Sequence, residues 1–474
     1  MKKTYIDTAM ERIAPDLILK GGNVVDVFSG RVIKADVIIK DGIICGVGSY
    51  SGENEQDVSG KYIMPGFIDS HVHIESSMTQ PSEYAKAVMP HGITTVIADP
   101  HEITNVCGED GLEFMLKSAE NIPLDVNLML PSCVPATPFE HTGANLDAKT
   151  TQKLAPKFFG IGEMMNYPGI VSGDDETLGK LCLDIIDGHA PLLSGHELDA
   201  YASVGIKTDH ECSVVEEMTE KISKGMYILL REGTLSLDVA KLIKGVTPYT
   251  LRRCAFCTDD RFVGEIIRDG SIDHCIRKAV SLGLNNIDAI IMATLNACEM
   301  YGMKNKGAIA PSYVADIVVA DDLNLSSISQ VYKNGKLVCE NGKALFECET
   351  VDNSKVTNTV HLPKISADFF KTDVKDKFDA IELIPESIIT KKVTVSYSDS
   401  LSKVCVIERH HNLGTKGIGF VTNYGITNGA IATSIGHDSH NVIVIGDNDS
   451  DMALAVNTLA TSGGIAVCSE GKVI

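Results

Sequence analysis

The chain has 474 residues, 44% of them hydrophobic, and carries 42 lysines and arginines against 63 aspartates and glutamates, a formal charge of −21. A surface that acidic repels nucleic acid, and no apolar run nears the roughly 18 residues that span a bilayer, so neither nucleic acid nor a membrane is an expected partner. Length allows roughly three units of about 150 residues or one large barrel with satellites. The 13 cysteines, odd in number and without a framework spacing, fit reduced thiols in a cytosolic protein. The start, Met1-Lys2-Lys3-Thr4-Tyr5, has no apolar stretch behind its lysines, which makes the cytoplasm the default location.

In chain order, residues 16–27 and 35–42 read as short apolar strands between turns, a small β unit. Residues 63–69 read as a turn feeding a buried strand, and at its carboxyl end stands His71-Val72-His73. Residues i and i+2 of an extended segment share a face, so both imidazoles can reach one ion; taken alone, the pair is equally well a polar strand edge. From about Pro65 to Met303, strand-like runs at 94–98, 125–130, 158–162, 192–194 and 227–230 alternate with helical runs such as 108–117. That rhythm predicts a parallel sheet closed into a barrel, whose active site lies at the carboxyl ends of the strands.

Cys254-Ala255-Phe256-Cys257 reads as core thiols flanking a strand, because no second cysteine pair follows at zinc-site spacing. Residues 315–320 and 331–338 return to the style of the first sixty residues. Residues 1–64 and 305–349 are therefore expected to form one split β domain around a catalytic barrel over 65–304. After a polar stretch at 350–359, an accessory domain is expected over 350–474, with strands at 392–397 and 442–446 and a helix at 449–457.

Pro65-Gly66-Phe67-Ile68-Asp69-Ser70-His71-Val72-His73 resembles the opening metal motif of the amidohydrolase superfamily, and its continuation Ile74-Glu75-Ser76-Ser77-Met78 resembles the adenine deaminase branch. Ala98-Asp99-Pro100-His101-Glu102, Gly162-Glu163-Met164-Met165-Asn166, Asp187-Gly188-His189-Ala190-Pro191, Thr208-Asp209-His210-Glu211 and Gly436-His437-Asp438-Ser439-His440-Asn441 extend the likeness over nearly the whole chain. The resemblance implies an α/β fold: a metal-dependent (β/α)8 barrel, a split small β-sandwich domain and an additional C-terminal α+β domain. Relatives usually continue past the equivalent of Ile474, so the accessory domain is expected to be shortened.

The resemblance further implies two divalent ions, manganese or iron ahead of zinc, held by His71, His73, Glu163, His189, His210 and Asp259. Glu163 stands where many relatives carry a modified lysine and is expected to bridge the ions. Asp259 directly follows Cys257-Thr258 and is preferred to Asp260, which reads as a helix cap. The implied reaction converts adenine and water to hypoxanthine and ammonia through a metal-activated hydroxide, with Asp259 as ligand and base. Glu75, His101 and Glu102 are further catalytic candidates, either touching ring nitrogens or adding ligands. The block bearing His437 and His440 either caps the barrel mouth or is a turn of the accessory domain.

Purine salvage by a cytoplasmic homo-oligomer is the expected setting. Two alternatives stay open: another amidohydrolase acting on a cyclic amine or amide, because the scaffold sets hydrolysis more firmly than substrate, and an inactive metal-binding relative. Zinc deaminases that flip bases out of nucleic acid fit poorly, since His-x-Glu followed by Pro-Cys-x-x-Cys does not occur.

Overall fold

A computed structural model describes residues 2–373, 376–385, 389–396, 398 and 401–474. The chain divides into two compact units, the first comprising residues up to Pro100, Met115–Ser132 and Ala148–Val351. The second comprises His101–Phe114, Cys133–Asp147 and Asp352–Ile474.

The first unit contains eight short parallel strands. Five pair in the order Ile186–Gly188, Gly160–Met164, Asp125–Leu130, Ile93–Ala98, Phe67–Val72, and three in the order Thr208–Asp209, Tyr227–Arg231, Cys254–Cys257. The two arcs meet at both ends. Gly188 N donates to Thr208 Oγ1 at 3.0 Å, an approach so close that a Cβ at Gly188 would lie 2.2 Å from the Thr208 carbonyl oxygen. At the other seam Asp259 N donates to the His71 carbonyl at 2.9 Å and Val72 bridges Asp259, closing the barrel. Strands such as Phe67–Val72 and Cys254–Cys257 are buried at every position, as strands packed on both faces require. Cys254 and Cys257 are the two ends of a barrel strand, and all 13 cysteines are free.

A nine-stranded sheet in the same unit joins strands from both sides of the barrel segment. Leu17–Asp26, Arg31–Lys40, Ile43–Gly48, Glu55–Asp57 and Tyr62–Pro65 share it with Ile317–Ala320, Ile328–Lys333, Lys336–Glu340 and Lys343–Ala344. The join is the antiparallel pairing of Tyr62–Pro65 with Ile317–Ala320. Its core gathers Leu19, Val37, Ile39 and Ile63 with Ile317, Val319 and Tyr332.

The second unit carries an eight-stranded, mostly antiparallel sheet over Phe378–Val473. The helix Asp449–Leu459 packs on it through Met452, Ala455, Val456 and Leu459, and is capped by Asn448, whose side chain accepts from Asp451 N at 2.8 Å. Residues 101–114 and 133–147, which the sequence places inside the barrel segment, belong to this unit through specific bonds. Gly143 N donates to the Asn105 carbonyl at 2.7 Å, Asn441 Nδ2 to the His141 carbonyl at 2.8 Å, and Lys355 pairs with Asp110 at 2.6 Å.

Three local expectations change. Residues 192–194, read as a strand, leave a turn and lead into the helix Gly195–Ser203, and the fifth barrel strand is Ile186–Gly188. The run 331–338 is a hairpin turning at Asn334-Gly335, both with positive φ. A helix at Lys2–Ala9, unforeseen in the sequence, is held by Tyr5 packing on Ile18, Ile38 and Cys45. Tyr397, expected at a strand end, lies outside the described residues. Among the described residues no helix is long and apolar enough to cross a membrane.

One buried cation ties the fifth and sixth strand ends to the helix Val215–Ser223. Lys221 is 0% exposed, donates to the Ala190 carbonyl at 2.6 Å and Glu217 at 2.7 Å, and pairs with Asp209. Burial pushes the Asp209 carboxyl up, but Lys221 and the hydrogen bonds outweigh it and hold the group below the usual range. Lys221→Met leaves two carboxylates buried without their cation, and about 3–5 kcal/mol of stability should be lost. Urea unfolding measures it; a loss under about 1 kcal/mol, the size of a surface pair, would contradict this role.

Candidate metal centre

The carboxyl ends of the first, fourth, fifth, sixth and eighth barrel strands bring His71, His73, Glu163, His189, His210 and Asp259 together, and all but the partly exposed His189 are buried. His71 Nε2 lies 3.1 Å from His73 Nε2, and Asp259 Oδ1 is 3.3 Å from each. Around one ion at 2.0–2.1 Å, tetrahedral ligands sit about 3.4 Å apart, so this triangle has the spacing of a ligand set. Glu163 contributes to both sides. Its Oε1 is 3.4 Å from His73 Nε2, while its Oε2 is 2.6 Å from His189 Nδ1 and 3.1 Å from His210 Nε2. One carboxylate thus faces two groups of donors with two different oxygens, the arrangement a bridge between two ions needs.

The surrounding bonds orient these donors. A carbonyl only accepts, so the 2.8 Å contact from His73 Nδ1 to the Asp99 carbonyl puts the proton on Nδ1 and turns the Nε2 lone pair inward. Asp99 Oδ2 also accepts from Glu163 N at 2.9 Å, linking the bridge to the same anchor. His71 Nδ1 faces Asp187 Oδ2 at 3.8 Å, and the Tyr301 hydroxyl donates to that carboxylate at 3.0 Å. The His71 and His210 rings stack with centroids 4.0 Å apart.

Burial would keep His71 neutral, but Asp187 and Asp259 outweigh it and push its pKa up to about 10. His189 is driven to about 9 by Glu163 against the same burial. Burial raises the Asp259 carboxyl, yet Arg231 and the two imidazoles overcome it, holding the group ionised well below its usual range. Asp259 also sits at φ 56°, a left-handed conformation uncommon outside glycine, asparagine and aspartate.

Of the other sequence candidates, Glu75 opens the short 3-10 turn Glu75–Ser77, two residues after His73. Asp260 accepts from the Ser76 hydroxyl at 2.5 Å and is no helix cap: the following helix, Val263–Asp269, has Phe262 at that position. His101 and Glu102 begin the helix His101–Ala119 in the second unit, where His437, Asp438 and His440 surround them. Burial and the neighbouring charges of His437, His101 and Arg409 hold His440 down to about 3.

Arg231 was not among the sequence candidates. Its Nη1 lies 3.3 Å from Asp259 Oδ2 and pairs with Glu211, and its Nη2 is 3.1 Å from Asp238. The signal was present: Tyr227–Arg231 is an apolar strand ending in a charge, the position that flags a site residue in a barrel.

Residues 62–338 match the model of the Amidohydrolase family, and residues 383–474 match the Adenine deaminase C-terminal domain. A protein of Clostridium acetobutylicum called adenine deaminase is 47% identical over 99% of this chain and 86% of its own length. Adenine deaminase 2 of Desulfotalea psychrophila is 45% identical over 100% of this chain and 86% of its length. Among solved structures, an enamidase described as a member of the amidohydrolase superfamily superposes with TM-score 0.53 at 18% identity, covering 70% of this chain and 97% of its own. A β-aspartyl dipeptidase of Fervidobacterium islandicum AW-1 gives TM-score 0.51 at 20% identity, with 71% and 98% covered. These two show the fold alone.

A ring must be unprotonated on its donor nitrogen to bind an ion, and at neutral pH the raised His71 and His189 carry protons in the metal-free chain. Metal uptake should therefore release about two protons per chain and tighten as pH rises toward about 9–10. Titration calorimetry with Zn2+ between pH 6.5 and 8.5, in buffers of different ionisation heat, counts those protons. Uptake that is proton-neutral and independent of pH would rule out His71 and His189 as ligands.

Proposed function

We infer that this chain, which belongs to the amidohydrolase family and within it to the adenine deaminases, hydrolyses adenine to hypoxanthine and ammonia. The substrate follows from relatives aligned along nearly the whole chain; a barrel with this donor set would equally suit other cyclic amines or amides. The observation that carries the chemistry is Glu163, whose two oxygens face different donor groups. We assign His71, His73 and Asp259 to one divalent ion, His189 and His210 to a second, and Glu163 to both. Imidazole and carboxylate donors suit manganese, iron and zinc, and we favour manganese or iron. When bound, such ions make water nucleophilic at neutral pH.

The reaction joins a water oxygen to the ring carbon bearing the amine and breaks that carbon–nitrogen bond. The water's two protons end on the neighbouring ring nitrogen and on the departing ammonia. Asp259, kept anionic by Arg231, is positioned to accept a proton from the water and release it to the amine. Arg231 leaves Oδ1 of Asp259 toward His71 and His73 while engaging Oδ2, so one carboxylate serves the donor cluster and its own anchor at once. Glu75, the first carboxylate beyond the histidine pair, is our candidate for the ring-nitrogen proton. We further propose that the enzyme works in cytoplasmic purine salvage as a homo-oligomer. Support for the free base as its substrate comes from the net charge of −21, which repels nucleic acid.

Purified with manganese or iron, the chain should convert adenine with release of ammonia, followed by ultraviolet absorbance and ammonia assay. Asp259→Asn should lower kcat by roughly 10²–10⁴-fold. A metal-loaded chain that turns over another cyclic amine or amide but not adenine would displace the substrate assignment. Undiminished turnover in Asp259→Asn would displace the base.

A further inference from the structure

The second unit holds a cluster of donors to which the reaction steps proposed above assign no role, His101 and Glu102 among them. His101 and Glu102 open the helix His101–Ala119, and His437, Asp438 and His440 lie on the loop between the strands Gly429–Thr433 and Val442–Gly446. The Glu102 carboxylate faces two imidazoles with separate oxygens, Oε1 at 3.8 Å from His437 Nδ1 and Oε2 at 3.6 Å from His440 Nε2. His101 Nε2 lies 3.6 Å from Asp438 Oδ1. These separations are too long for hydrogen bonds and close to the about 3.4 Å between tetrahedral ligands of one ion.

An independent observation points to a ligand. His440 is 6% exposed, and its Nε2 has no hydrogen-bond partner although it is aimed at the Glu102 carboxylate. A buried ring nitrogen left without a partner is costly unless something completes it. The loop around it is pinned: His440 N donates to the Gly436 carbonyl at 2.7 Å, and His410 Nε2 bonds the Ser439 carbonyl at 2.8 Å. His437 has 36% of its side chain exposed, which leaves a route for an ion to enter.

We propose that the second unit carries its own divalent transition-metal site, formed by Glu102, His437 and His440 with His101 and Asp438 beside them. The ion fastens the start of the helix His101–Ala119 to the loop that follows Thr433. Mixed imidazole and carboxylate donors select an ion of the zinc, cobalt, iron or manganese class over calcium or magnesium. The proposal is independent of the deaminase assignment.

The test compares the metal-free full chain with its His437→Gln variant, both loaded with excess Co2+, freed of unbound ion by gel filtration and counted by elemental mass spectrometry. The variant should hold one ion fewer per chain; equal counts overturn the site. Because the readout is a difference, it stands whatever the barrel retains. The double variant Glu102→Gln/His440→Gln should lose the same single ion. If circular dichroism finds the double variant unfolded, His437→Gln, altered at an exposed ring, decides alone.

Discussion

The shared carboxylate of Glu163 is the constraint around which the barrel is organised. Four imidazoles and two carboxylates converge at one end of a closed sheet, and groups so close and so little hydrated cannot all take their preferred charge states unaided. Without an ion the imbalance is visible in His71 and His189, which hold protons far above their ordinary range. Divalent cations bound there, as proposed above, would replace those protons and let the donors act through their lone pairs. Glu163 is the only one of the six placed to divide its oxygens between both donor groups.

The hydrogen bonds that close the barrel also aim the donors. Asp259 N donates to the His71 carbonyl, so the seam between the last and first strands is where two donor-bearing segments meet. Asp69 reinforces that seam, with Oδ1 accepting from Thr258 N at 3.0 Å and Oδ2 from the Thr258 hydroxyl at 2.5 Å. Burial drives the Asp69 carboxyl up to about 6 against those bonds. The aspartate two residues before His71 is thus part of the wall, not of the donor cluster. Asp99 does similar work elsewhere, its backbone carbonyl orienting His73 and its carboxylate holding the Glu163 amide.

The donors were legible because they occur as short motifs after apolar runs, and a residue at the carboxyl end of a barrel strand has few reasons to be histidine. Supporting charges were harder to see. Lys221 lies in a stretch whose pattern is that of an ordinary amphipathic helix, and only its burial separates it from a solvated residue; Arg231 ends an apolar strand, a signal that does not by itself say which group the charge serves. Strands were legible where alternation or a long apolar run marked them. Ile186–Gly188 and Thr208–Asp209 are too short to show any period, and the apolar pair Leu192-Leu193 drew the fifth strand to the wrong place.

The order of the motifs, the residue types able to ligate, the acidic surface and the alternation of strand and helix are properties of the linear chain, since each depends on composition and local spacing. Tertiary structure decided what depends on distant segments meeting. It placed Glu163 between two donor groups, set Arg231 against Asp259, and grouped His101 and Glu102 with His437 and His440 across more than three hundred residues of chain. A hydrogen-bonding or ligating geometry is specified to fractions of an ångström. Sequence separation carries no information at that scale until the backbone has closed.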